Sequence, residues 1–287
     1  MTYIIHGATG AQGSPVLAAM LTAEKPAVAA VRTQDAVPDG VASVAVDLAD
    51  AGSLAEAYAD ADGVFVHLPM GPPEQSLQYA EAIATAVAKA RPARVVISTS
   101  GQIVDQPGSP LQATDDSAIA TLIRRVSETG VSTAVVATRL YLENLLLPVV
   151  SGPAKLDGVL RYPLPTAFPT SWISHRDVAD VVVRLLTDHS TTGVVAVGAH
   201  PGLTGPDLAA AFAGRLGREV TYEAITPEAF GELISPLFGP EASTPVVGLY
   251  QALNTQEGNT IASDNSAQSL LGIEPRTVEA WLADVPL

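Results

Sequence analysis

Tyr3-Ile4-Ile5-His6-Gly7-Ala8-Thr9-Gly10-Ala11-Gln12-Gly13-Ser14-Pro15-Val16-Leu17 decides the fold. A short apolar run, Tyr3 to His6, reads as a buried strand; three glycines follow; then Val16, Leu17, Met20 and Leu21 recur at helical spacing. Strand, glycine turn and helix in that order suit a diphosphate. One glycine makes the tight turn, a second lets the main chain approach the phosphates, and a third lets helix and strand pack closely. The helix N-terminus supplies unpaired N–H groups and a positive dipole end. Pro15 fits the first helical turn, where its missing N–H had no partner to lose. The spacing is Gly-x-x-Gly-x-x-Gly, which on its own would also fit three glycines that merely turn the chain.

Further along, strands and helices alternate. Ala27 to Val31, Val44 to Leu48, Gly63 to Pro69, Arg94 to Ser98 and Val131 to Ala137 read as strands. Helical spacing separates them, with a helix expected over Ser53 to Ala59 capped by Ser53, another around Leu77 to Val87, and a third over Ser117 to Thr129. This predicts an α/β protein with a doubly wound parallel sheet of Rossmann type, whose ligand crevice lies beyond the carboxyl ends of the strands. The residues leaving those ends are Gly7 to Gly13, Arg32, Asp47, His67 to Met70 and Ser98 to Gly101. Arg32 at the end of the second strand suits a ribose 2′-phosphate, where an acidic residue would suit a 2′-hydroxyl. It therefore points to NADP over NAD.

The stretch from Gln102 to Asp116 is rich in Pro, Gly, Ser and Asp and predicts an irregular loop at the mouth of the crevice. Asp115-Asp116 suit a helix N-terminus. From 152 to 170 the alternation breaks, which predicts an excursion out of the sheet; a helix from about 172 to 186 and a strand from Gly193 to Gly198 return to it. Helices are expected over 203–216 and 227–237 and again in the C-terminal part. The expected organisation is a dinucleotide-binding domain over 1–150, rejoined by 171–199, and a smaller, mostly helical substrate domain over 151–287.

Composition narrows the class. Of 287 residues 47% are hydrophobic and only 16% charged, as in compact folded proteins rather than disordered ones. A formal net charge of −15 disfavours nucleic acid and anionic membrane surfaces as partners. With no cysteine, thiolate chemistry and disulfides are excluded. The histidines and carboxylates show no metal-ligand spacing, so no metal is expected. Without a leader-like start, and with the apolar region 140–150 interrupted by Glu143, Asn144 and Pro148, a cytoplasmic location is expected. A homodimer is left open.

Taken together, Gly7-Ala-Thr-Gly-Ala-Gln-Gly13, Val31-Arg32, Arg139-x-x-x-x-Asn144, Ile173-x-x-x-Asp177-Val178-Ala179, Leu203-Thr-Gly-Pro206 with Leu216-Gly-Arg218, and Asp264-x5-Leu270-Leu-Gly272 resemble the NmrA-like group of atypical short-chain dehydrogenase/reductases. The likeness covers nearly the whole chain and is strongest to the branch of NADPH-dependent quinone oxidoreductases and triphenylmethane reductases. The resemblance implies that Gly7, Thr9, Gly10, Ala11, Gln12, Gly13 and Arg32 hold the NADP phosphates. It implies that Asp47, His67, Leu68, Pro69, Ser98, Thr99 and Ser100 flank adenine and ribose, and that Tyr141 and Asn144 approach the nicotinamide.

The chain departs from the wider superfamily in one respect that bears on mechanism. None of its seven tyrosines has a lysine four residues later, and the lysines are Lys25, Lys89 and Lys155 alone. Two expectations follow: an NADPH-dependent reductase passing hydride to a small conjugated electrophile such as a quinone, which needs little acid help, or a non-catalytic NADP-binding redox sensor.

Individual side chains carry two readings each. Tyr141 and Asn144 either orient substrate or are a half-buried phenol and a capping amide. His67 reads as a hydrogen-bonded structural residue before a ligand contact, and His175 with Asp177 as capping and packing before a catalytic pair. Ser98 and Ser100, as unactivated hydroxyls, suit cofactor binding better than proton donation.

Overall fold

A computed structural model describes residues 2–287. Its elements run β1 (Tyr3–His6), α1 (Gly13–Thr22), β2 (Ala27–Val31), β3 (Ser43–Ala45), α2 (Ala51–Tyr58), β4 (Gly63–His67), α3 (Pro73–Ala90), β5 (Arg94–Ser98), α4 (Ala118–Glu128), β6 (Ser132–Thr138), α5 (Pro148–Leu156), β7 (Val159–Tyr162), α6 (His175–Thr187), β8 (Gly193–Val197), α7 (Gly205–Leu216), β9 (Thr221–Ala224), α8 (Pro227–Phe238), α9 (Pro240–Leu253), α10 (Ala267–Leu271) and α11 (Val278–Asp284). They divide into two compact units. The first holds the chain up to Thr138, His175–Val197 and Asp264–Ile273; the second holds Arg139–Ser174, Gly198–Ser263 and Glu274–Leu287.

In the first unit seven strands form one sheet in the order β3-β2-β1-β4-β5-β6-β8, every pair parallel. The order reverses between β1 and β4, the topological switch point at which open sheets of this kind bind ligands. Both faces are covered, as parallel strands require. Ile4, Val64, Val66, Val95, Ile97 and Val135 pack with Leu54 and Tyr58 of α2, Ile83 and Val87 of α3, and Ile119, Leu122 and Val126 of α4. By the alternation of strand side chains, Ile5, Phe65, Val96 and Val136 face the other way, where α6 packs on β4, β5 and β6 and against α1. At the start of β5 the guanidinium of Arg94 is buried, with main-chain carbonyls and a hydroxyl as hydrogen-bond partners. Its Nε donates to the Leu185 carbonyl at 2.9 Å and Nη1 to Ser132 Oγ at 2.8 Å, while the remaining nitrogen reaches the Thr191 carbonyl.

Several local expectations shift. α2 is capped by Asp50, whose carboxylate accepts from the Gly52 N–H at 2.8 Å; Ser53 instead faces the Asp47 N–H. Asp50 directly precedes the helix, where a side-chain oxygen can take an unpaired N–H, whereas Ser53 lies within the first turn. α4 is capped by Ser117, with Asp115-Asp116 immediately ahead of its N-terminus, as expected. The stretch 102–116 is irregular, closed by an isolated bridge between Ile103 and Gln112. The break after Val150 contains α5 and the short strand β7.

The second unit carries a two-stranded parallel sheet, β7 with β9, beside α5 and α7 to α9 and α11. Its core is aromatic. Tyr162, Trp172, Phe230 and Tyr250 pack with ring centroids 5.3–5.5 Å apart, edge-on except for the tilted pair Tyr162–Phe230. A groove of about 860 Å³ between α8 and α9 is lined by Glu228, Glu232, Ser235, Thr244, Val247 and others of the same hairpin.

Candidate functional site

The turn after β1 is tight. Gly7 takes φ +60°, the Gly10 N–H donates to the Gly7 carbonyl at 2.8 Å, and the Ser14 N–H to the Gly10 carbonyl at 3.0 Å. A β-carbon on Gly13 would overlap the carbonyls of His6 and Gly7, so the third glycine is fixed by backbone packed on backbone. One on Gly7 would overlap Nε2 of His67, whose ring fills the space beneath the turn. Thr9, Gly10 and Ala11 are exposed above it. No side chain closes the N-terminus of α1, and the residue before it, Gln12, sends its carboxamide elsewhere. This is a main-chain cradle at the positive end of a ten-residue helix, the chemistry that a dinucleotide pyrophosphate requires.

Arg32 stands exposed just past β2 and makes no ion pair with a described residue. Asp47 is exposed too, with Oδ1 accepting from the Ala49 N–H at 2.9 Å. At the end of β4, Leu68 is buried in the cluster under α2 to α4, so only its main chain is available to a ligand; Pro69 is half-buried. At the end of β5, Ser98 Oγ donates to Gln12 Oε1 at 2.8 Å and Gln12 Nε2 donates to Ser100 Oγ at 3.0 Å. Ser100 lies in the left-handed region at φ +55°, followed by Gly101 at +88°, whose N–H donates to Thr138 Oγ1 at 3.0 Å. Thr99 is fully buried; its N–H donates to the Val136 carbonyl and its hydroxyl has no hydrogen-bond partner. Thus Gln12, Ser98 and Ser100 meet one another, across more than eighty residues of sequence.

Three histidines surround the turn in electrostatic contact. His6 is buried and shares a 2.8 Å hydrogen bond with the Tyr58 hydroxyl. Burial, then the neighbouring His67, holds its pKa down at about 3. Burial also lowers His67, and it lowers His175 to about 4 with His67 again contributing. All three are neutral bases at ordinary pH. These imidazoles therefore offer no positive charge at ordinary pH. Tyr58 had no sequence signal; its partner lies fifty-two positions away.

Tyr141 and Asn144 belong to the second unit, at a 3-10 turn over Leu142–Leu146. Main-chain bonds from Leu142 to Ile173 (2.9 Å) and Ile173 to Leu140 (3.1 Å) fix that turn, and both side chains are half-buried. Asn144 hydrogen-bonds the Tyr162 hydroxyl, which in turn meets that of Tyr250. Burial drives both phenols well above their usual range, so they stay protonated. His175 and Asp177 open α6, with Asp177 buried in its first turn. Among the described residues no group of three or more His, Asp or Glu side chains could hold a metal ion, and no helix is long and apolar enough to cross a membrane.

A glycine turn between β1 and α1, at the switch point of a parallel sheet that runs 3-2-1-4-5-6 before β8, defines a Rossmann-type α/β protein. Within that class the chain belongs to the NmrA-like family, whose profile matches residues 2–282. It is 30% identical over 256 residues to an NAD(P)H azoreductase of Xenophilus azovorans, covering 87% of this chain and 86% of the azoreductase. Among solved structures, the Citrobacter sp. triphenylmethane reductase complexed with NADP(H) superposes with a TM-score of 0.82 at 16% identity, covering 99% of this chain and 100% of that one. An NADPH-dependent quinone oxidoreductase of Escherichia coli complexed with NADPH gives 0.73 at 18% identity and 99% of each chain. At such identities these two speak for the fold alone.

Proposed function

We infer that the protein is an NAD(P)H-dependent reductase, using NADPH by preference, that passes hydride to a small conjugated electrophile such as a quinone or an azo compound. The observation that carries this is the main-chain cradle of Gly7, Gly10 and Gly13 with exposed Arg32 at the end of the neighbouring strand. The family and the azoreductase relative support the reaction class.

Bound there, NADPH supplies a hydride; the chain supplies position. N–H groups at the start of α1 would take the pyrophosphate, and Arg32 the 2′-phosphate as a charge-assisted, two-pronged contact. The chain has no tyrosine–lysine pair to deliver a proton, and the phenols of Tyr162 and Tyr250 are buried and held protonated. An acceptor that stabilises the added electron pair over its own conjugated frame needs no strong acid, so alignment in a water-poor site is enough. Tyr141 and Asn144 are taken as substrate contacts, a role that rests on the family resemblance.

Consumption of NADPH absorbance with a panel of quinones, azo dyes and enones tests the reading. Turnover with at least one member is expected. Tight NADPH binding with no turnover on any member would overturn it and favour the second reading, a redox sensor, which the missing tyrosine–lysine pair also accommodates.

A further inference from the structure

We propose that Gln12 is a positioning residue, which locks the glycine turn to the end of β5 through a closed ring of hydrogen bonds and so sets the shape of the dinucleotide cradle. The proposal rests on the reading of that cradle as an NADPH site. Gln12 sits between the second and third glycines, where its side chain could have faced solvent or a ligand. Instead its carboxamide uses both of its ends on β5: the oxygen accepts from Ser98 Oγ at 2.8 Å and the nitrogen donates to Ser100 Oγ at 3.0 Å. The Ser100 N–H closes the ring by donating to Ser98 Oγ at 3.3 Å.

Two features make this ring more than a surface contact. Ser98 is fully buried, so an acceptor or donor lost there is not replaced freely by water. Ser100 is held at φ +55°, a conformation that costs a non-glycine residue energy and persists only where its surroundings enforce it. Gln12 supplies part of that enforcement, together with the Gly101 N–H bond to Thr138. The turn and the β5 terminus leave neighbouring regions of one sheet, and a primary amide, with one acceptor and donors on a single planar group, can bridge two hydroxyls at once.

The chemistry gives a specific test. Methionine keeps the length and loses the bonds. Glutamate keeps the acceptor and loses the donor while ionised, but regains a donor when protonated, which restores the pattern of the amide. NADPH affinity is measured by fluorescence titration for wild-type protein, Gln12→Met and Gln12→Glu between pH 8 and pH 5, each variant divided by wild type at the same pH. The ratio removes the titration of His6, His67, His175 and the nucleotide itself. Gln12→Met is expected to bind roughly tenfold more weakly at every pH, the loss of one to two hydrogen bonds. Gln12→Glu is expected to be at least as weak at pH 8 and to climb above the methionine variant as pH falls.

Wild-type affinity in Gln12→Met overturns the proposal. So does recovery of Gln12→Glu only as far as the methionine level, since relief of charge repulsion against the phosphates would do that much. A thermal midpoint of the nucleotide-free variants close to wild type shows that the turn, not the fold, has changed; a collapse of both midpoints with no rescue at low pH would make Gln12 a purely structural residue and also overturn it. If wild-type protein binds no NADPH, it is the function reading that fails instead.

Discussion

Arg32, just past β2, carries a fixed positive charge, whereas burial keeps His6, His67 and His175 neutral at ordinary pH. Arg32→Asp is therefore expected to weaken NADPH binding by roughly 10- to 100-fold, the worth of a charge-assisted contact, while NADH binding holds or improves. Calorimetry with both nucleotides checks this, and an unchanged ratio would remove Arg32 as the phosphate ligand. The histidines predict an acid-side loss of stability. Each is unprotonated in the fold down to a pKa near 3 for His6 and near 4 for His175, whereas in the unfolded chain it takes a proton near pH 6.5. Below that pH the unfolded state binds more protons, so the stability present above pH 6.5 is lost progressively as pH falls toward 4. The loss is about 1.4 kcal/mol per pH unit for each histidine that titrates only when unfolded. Urea midpoints between pH 7.5 and 5 should fall accordingly. His6→Asn should flatten that slope, and Tyr58→Phe, which strands the His6 ring nitrogen, should cost about 1–3 kcal/mol at neutral pH.

At the scale of elements the glycines separate into those that contact demands and those it does not. Gly13→Ala would push a methyl into the His6 and Gly7 carbonyls, neither of which is free to move, and is expected to destabilise by about 1–3 kcal/mol and to abolish nucleotide binding. Gly214→Ala, exposed within α7 with nothing in the way, should stabilise by about 0.5–1 kcal/mol and leave binding intact. Thermal melts and NADPH titrations on the pair distinguish the two. The central parallel strands were legible in the sequence because they are buried on both faces and read as apolar runs, from Tyr3-Ile4-Ile5 to Ala134-Val135-Val136. β7 and β9 were not, since Val159-Leu-Arg-Tyr and Thr221-Tyr-Glu-Ala are four residues long, half polar, and pair only with each other. The tight glycine turn between β1 and α1, and an exposed Arg32 just past β2, could be read from local spacing. The Gln12 ring and the His6–Tyr58 bond could not, because nothing in a linear pattern says which distant hydroxyl a side chain will meet.

For the molecule as a whole, a ligand held by the folded state alone raises its stability by about 2.7 kcal/mol at a hundredfold excess over Kd. NADPH should accordingly raise the melting midpoint by roughly 5 °C, more than NADH does, and a scan showing no shift with either nucleotide would count against the cradle as a dinucleotide site. The exposed leucines and phenylalanine of the α8–α9 hairpin, Leu233, Leu237, Phe238 and Leu249, belong to the second unit, so substitutions there should leave that shift unchanged. The first unit is assembled from three separate stretches of chain, the last ending at Ile273. A ribosome that has released the chain only as far as Thr138 has therefore delivered six strands whose α6 site beside α1 is unfilled and whose β6 edge awaits β8. At usual translation speeds the missing pieces arrive on the order of 10 s later. The growing polypeptide carries that unfinished unit until the stretch Asp264–Ile273 has emerged.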